Sequence, residues 1–96
     1  MYALITYDVS TSDDGGKKRL RKVARLCERY GQRVQCSVFE CLVNPSQLLE
    51  LKRSLLEICD LSTDSIRIYN LGDRWLQRVE HYGAKAAYNP EGPLIV

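Results

Sequence analysis

QRVQCSVFECLV, residues 32–43, is the stretch that decides the fold. Its twelve residues are rich in β-branched and apolar side chains, and a typical strand is only about 5–6 residues long. The run therefore divides into two antiparallel strands, with the turn near Gln35, Cys36 and Ser37. That turn lacks the Asn-Gly or Asp-Gly pair of the tightest hairpins, so the division rests on length and pattern.

Working outward, Leu20, Val23, Ala24, Cys27 and Tyr30 recur at three- and four-residue steps, which predicts a helix from Lys17 to Tyr30. Gly31 then serves as its left-handed cap. Ahead of that helix, residues 2–9 (YALITYDV) read as a buried strand with an acidic end, closed by the loop from Ser10 to Gly16. Beyond the central run, Asn44 offers an N-cap and Pro45 a first helical position, followed by Leu48, Leu51, Leu55 and Cys59 at helical spacing. Ser65 to Leu71 alternates as a fourth strand, stopped by Gly72 and Asp73. The order β-α-β-β-α-β predicts an α+β, ferredoxin-like fold, an antiparallel sheet with both helices on one face. The tail over residues 73–96 predicts a short helix from Trp75 to His81. A turn-rich linker follows, and then the apolar Leu94, Ile95 and Val96 as a short strand on a sheet edge, including that of a neighbouring protomer.

The chain has 96 residues, 45% of them hydrophobic and 27% charged. That describes a single small domain over residues 1–96 and excludes a multidomain reading. No apolar run approaches the roughly 18 residues that a membrane helix needs. The opening Met-Tyr-Ala-Leu-Ile has no basic region and no small-residue cleavage site, so the expected location is the cytoplasm. A domain this small has a thin core, which favours association with a second subunit.

Cys27, Cys36, Cys41 and Cys59 contain no Cys-x-x-Cys pair and are expected to pack in the core without redox or zinc chemistry. Charge says more. The net charge is only +2, yet residues 17–33 hold eight of the fourteen basic side chains and one acid, Glu28. On the helix, Lys18, Lys22, Arg25 and Arg29 fall on a different face from the apolar stripe. Such a cluster attracts phosphate backbones, and the competing reading is a solvated face that confers solubility.

Three features together resemble the small CRISPR-associated endonuclease family, which accompanies the CRISPR integrase in spacer acquisition. They are Tyr7-Asp8 at the end of the first strand, the Arg/Lys-rich first helix, and YGQRVQCSVFE over residues 30–40. The resemblance extends through His81-Tyr82-Gly83-Ala84-Lys85 to the apolar end. It implies a ferredoxin-like homodimer whose C-terminal strands pack on the partner's sheet. That dimer would bridge two integrase dimers and support the DNA to be inserted. It also implies a nuclease acting on double-stranded DNA or single-stranded RNA and dependent on Mg2+ or Mn2+, with Asp8 as metal ligand and catalytic residue.

Phosphodiester hydrolysis with Mg2+ needs hard oxygen ligands, and Mg2+ keeps several waters beside one or two carboxylates. One Asp8 per chain is few, and a two-fold dimer would bring a second copy. The alternative is a structural Asp8 that accepts backbone hydrogen bonds at the turn, in a purely non-catalytic nucleic-acid-binding scaffold. Lys18, Arg19, Arg21, Lys22, Arg25 and Arg33 are the candidate nucleic-acid contacts, with Arg19 and Arg21 equal claimants to one family position. Tyr7, Ser37 and Phe39 are candidate supports of the site, Phe39 being either a stacking surface or a core or interface side chain. A Ser-His-Asp hydrolase is excluded because no Gly-x-Ser-x-Gly turn presents a nucleophile. Gly15-Gly16-Lys17-Lys18 lacks the spacing of a phosphate loop.

Overall fold

Alternating burial defines β1 (Tyr2–Asp8): Ala3, Ile5 and Tyr7 are buried, Leu4 and Thr6 are half-buried, and Asp8 is exposed. The computed structural model describes residues 1–83. Helix α1 (Asp14–Glu28) starts three residues before the predicted Lys17. Asp13 caps it, its carboxylate accepting the Gly16 amide at 2.7 Å, and Asp14 adds negative charge to the first turn. The glycine pair read as loop is thus wound into the helix.

Gly31 is not the predicted left-handed cap; among the described residues only Gly72 and Gly83 have positive φ. Arg29 ends α1 in right-handed geometry, and Gly31 opens β2 (Gly31–Gln35). A side chain at Gly31 would run into the Glu40 carbonyl oxygen of β3 (Val38–Leu42), so glycine is required by close backbone approach. The central run divides as expected, with Cys36 and Ser37 as the turn. A register shift between Arg33 and Gln35 bends the hairpin.

Helix α2 (Pro45–Ile58) begins with a capping box: the Gln47 amide donates to Asn44 at 2.8 Å, and the Asn44 amide donates to the Gln47 side chain at 2.9 Å. Strand β4 (Ser65–Gly72) pairs antiparallel with β1, giving the sheet order β2-β3-β1-β4. One core cluster unites Ile5, Tyr7, Phe39 and Cys41 of the sheet with Val23 and Cys27 of α1 and Leu51 and Leu55 of α2. Both helices therefore cover the same face, as the ferredoxin-like order predicts. The other face is open. Its lower end is covered by Trp75, which stacks on Tyr2 with ring centroids 4.2 Å apart.

Trp75 belongs to a single 3-10 turn, Trp75–Gln77, shorter than the predicted helix to His81. Arg78 leaves that turn and donates to the Leu71 carbonyl at 3.0 Å, tying the segment back to β4. The predicted C-terminal strand lies outside the described residues. Cys27 and Cys41 pack in the core and Cys59 is half-buried, whereas Cys36 is exposed because it falls on the hairpin turn, contrary to the core expectation. Among the described residues, no helix is long and apolar enough to cross a membrane.

Candidate metal and nucleic-acid site

Asp8 closes β1 and pairs through the backbone with Ser65, the first residue of β4. Strand alternation turns its side chain to the open face, beyond Leu4 and Thr6. Among the described residues, none hydrogen-bonds to or ion-pairs with its carboxylate. The turn-acceptor role weighed for Asp8 is filled instead by Asp13, which holds the Gly16 amide. An exposed, unpartnered carboxylate suits Mg2+ or Mn2+ bound with most of its waters retained. Among the described residues, no three His, Cys, Asp or Glu side chains converge into a metal cage.

On the helix side of the same strand ends lies a buried polar cluster. Asp64, immediately before Ser65, has a fully buried side chain. Its Oδ2 accepts the Tyr7 hydroxyl, Arg19 Nε at 2.8 Å and the Asp60 amide at 3.0 Å. Its Oδ1 accepts Arg19 Nη2 at 3.1 Å and the Thr63 hydroxyl at 3.3 Å. Burial works to raise the Asp64 carboxyl, but the hydrogen bonds from Arg19 and Tyr7 overcome it and hold the group down at about 2. Burial and the bond to this carboxylate push the Tyr7 phenol well above its ordinary range. The hydrogen bond to Asp64, first among several contributions, raises Arg19 as well.

The sequence-predicted supports separate on this scaffold. Tyr7 is buried, one residue from Asp8 but on the opposite face. Ser37 acts through its main chain, its carbonyl accepting the Tyr7 amide at 2.9 Å. Phe39 is fully buried beside Ile5, so of its two readings the packed one holds. Arg33 lies with its guanidinium 5.6 Å from the Phe39 ring centroid and donates to the Cys36 carbonyl at 2.8 Å. These four side chains do not gather around Asp8 within one chain.

The remaining cations are outward. Lys18, Arg21, Lys22 and Arg25 are exposed on α1, whereas Arg19 turns inward to Asp64, which separates the two claimants Arg19 and Arg21. Lys18, Lys22, Arg25 and Arg29 make a stripe roughly 16 Å long at the helical rise, about the axial length of half a turn of duplex. Lys22, Arg25 and Arg29 also line a shallow groove of about 270 Å³ between α1 and α2, with Leu26 and Ile58 beside them and Ser54 and Glu57 on the α2 side. The exposed flank of α1 and Asp8 are on opposite sides of the sheet.

Sequence reasoning missed Asp64. It reads as one more polar residue in the turn Asp60-Leu61-Ser62-Thr63, and nothing local distinguishes it. The usable signal was topological: in a β-α-β-β-α-β sheet the start of β4 pairs with the end of β1, which brings Asp64 beside Tyr7.

The family pattern described as "CRISPR associated protein Cas2" matches residues 1–79. The chain is 56% identical over 96 residues to the CRISPR-associated endoribonuclease Cas2 of Nitratidesulfovibrio vulgaris, covering 100% of this chain and 94% of that protein. It is 57% identical over 95 residues to the CRISPR-associated endonuclease Cas2 of Halalkalibacterium halodurans, covering 99% of each. The crystal structure of Streptococcus pyogenes Cas2 at pH 6.5 resembles it with a TM-score of 0.79 and 55% identity, over 86% of this chain and 100% of that one. A chain of a partial Cas6-RT-Cas1–Cas2 complex is similar at a TM-score of 0.56 and 29% identity, over 84% of this chain and 90% of that one. The family pattern over residues 1–79 and the identities over the whole chain agree, and the chain belongs to the Cas2 family of CRISPR-associated proteins.

Proposed function

We propose that this chain serves CRISPR adaptation in the cytoplasm as a homodimer that binds DNA, bridges integrase dimers and cleaves phosphodiesters with a divalent metal at Asp8. The observation that carries the nucleic-acid part is the exposed cationic stripe Lys18, Lys22, Arg25 and Arg29, with Arg21 beside it. It is sequence-independent chemistry, suited to phosphates rather than base edges. Similarity to a chain from a Cas1–Cas2 complex supports an integrase partner. The open sheet face, bearing half-buried Leu4, Val38 and Leu42 and the exposed Tyr69, gives a second copy a surface to cover.

For the enzymatic part, relatives named as endoribonuclease and endonuclease support nuclease chemistry on single-stranded RNA or double-stranded DNA. Asp8 would hold Mg2+ or Mn2+, and a bound metal there supplies Lewis-acid polarisation of a phosphodiester. The chain's own part is to present the carboxylate, exposed, at the end of β1. A second reading, the non-catalytic scaffold, is favoured by one observation: the cations and Asp8 face opposite sides of the sheet, so holding a duplex does not deliver it to the same chain's Asp8.

The test is cleavage of labelled duplex DNA and single-stranded RNA by wild type and Asp8→Ala, with Mg2+ or EDTA, alongside the native mass of both proteins. Metal-dependent cleavage by wild type alone, with both proteins dimeric, is the expected outcome. Wild type that binds duplex as well as Asp8→Ala but cuts neither substrate would leave the scaffold as the function.

A further inference from the structure

The Asp8 carboxylate has no partner of its own among the described residues, so the main chain sets the position and direction of the Cα–Cβ bond from which it rotates. Two backbone contacts hold that main chain: the Asp8–Ser65 pairing across β1 and β4, and the Tyr7 amide donating to Ser37 at the hairpin turn. Directly beneath, the neighbours of the Asp8–Ser65 pair, Tyr7 and Asp64, are joined by their side chains. Arg19 then ties Asp64 to α1 through two hydrogen bonds. The strand end is thereby stapled on the side that Asp8 does not occupy. The fixed points belong to β1, α1 and the α2–β4 turn, the last of them far from the other two in sequence.

We propose that Asp64 is a positioning residue for Asp8, acting through Tyr7 and Arg19 to hold the end of β1 in the orientation that binds a divalent cation. The proposal rests on the metal-binding reading of Asp8 and extends it to a residue on the opposite face of the sheet. Buried carboxylates of this kind are high-stakes: with Arg19 and Tyr7 paired they rigidify, and with either removed the buried charge loses part of the hydrogen bonding that offsets its burial. Groups that orient a metal ligand typically alter metal affinity or activity by about 10–100-fold when mutated. Here the link runs through the backbone, so the expected effect is at the lower end.

Tyr7→Phe is the cleanest probe, because it keeps the ring in the core and deletes only the hydroxyl; Asp64→Asn is the second. The measurement is Mn2+ affinity by electron paramagnetic resonance on the intact protein, at temperatures well below unfolding, with duplex affinity measured in EDTA beside it. Asp8→Asn is the reference for a lost ligand. Expected is a roughly tenfold weaker Mn2+ affinity in Tyr7→Phe and in Asp64→Asn, with duplex affinity unchanged. Variants that unfold at lower temperature yet bind Mn2+ as wild type does would assign the cluster to stability alone and overturn the proposal. Wild type that binds Mn2+ no better than Asp8→Asn would remove the metal reading itself, and the positioning role with it. That result appears before any Tyr7 or Asp64 variant is compared, so the two failures are told apart.

Discussion

Asp8 and Asp64 are both aspartates at the same strand ends, and their surroundings give them opposite character. Asp8 stands in solvent with no partner among the described residues, while Asp64 is buried and accepts hydrogen bonds from Arg19, Tyr7, Thr63 and the Asp60 amide. Because the Asp64 carboxyl is held at about 2, below its ordinary value of 3.8, the folded state favours the ionised form. Its contribution to stability is therefore complete above the ordinary value and is lost as pH falls through about 2. Acid unfolding followed by circular dichroism should show wild type losing stability across that interval. Asp64→Asn, less stable at neutral pH, should show a flatter dependence there; parallel curves would mean Asp64 is not the group being titrated. Asp8 was legible from sequence because it ends a recognisable strand beside Tyr7. Asp64 was not, since its importance lies in a contact 57 residues away with the Tyr7 hydroxyl.

Among the elements, α2 was the most readable, because Asn44 and Pro45 mark its start in the sequence, to which the structure adds Gln47 as the other half of a capping box. The start of α1 was misread for a physical reason: Gly15 and Gly16 lower helix propensity, yet Asp13 caps the turn and Gly16 lies where a side chain would collide with the Ser10 carbonyl. Gly31 was assigned a turn conformation when the constraint was the proximity of β3. That difference is testable. If Gly31 were a left-handed cap, Gly31→Ala would cost about 1 kcal/mol from the unfavourable backbone conformation. Because the new methyl meets the Glu40 carbonyl, the expected loss is instead about 1–3 kcal/mol, accompanied by displacement of the β2–β3 pairing. Urea unfolding gives the stability change, and amide exchange at Glu40 and Cys41 reports the pairing. Loss of stability with unaltered exchange in β3 would contradict the steric account.

Across the described residues, the exposed cations of α1 and the Asp8 carboxylate lie on opposite sides of one sheet. The net charge of +2 conceals this, because the eight basic residues from Lys17 to Arg33 are offset by acids elsewhere. Each phosphate contact contributes about 0.9 to the slope of log affinity against log salt, so removing two contacts should reduce that slope by about 1.8. Lys22→Ala with Arg25→Ala should do so on duplexes of any sequence, measured by fluorescence anisotropy over a salt series. An unchanged slope would take the α1 stripe out of nucleic-acid binding. The architecture itself was legible, since the β-α-β-β-α-β order follows from periodicity. The two-sidedness was not, because it depends on which way Arg19 turns and on which face the last residue of β1 falls.

The chain contains one tryptophan, Trp75, and it stacks on Tyr2 at the covered end of the open face. Its fluorescence is thus a built-in optical label for that face alone. This stacked pair lies on the face of the sheet opposite α1. A protein docking over the open sheet changes the environment of the emitter directly, while a nucleic acid lying along α1 leaves it outside contact range. Unlabelled protein can therefore report, by colour and intensity, which of its two sides has been engaged.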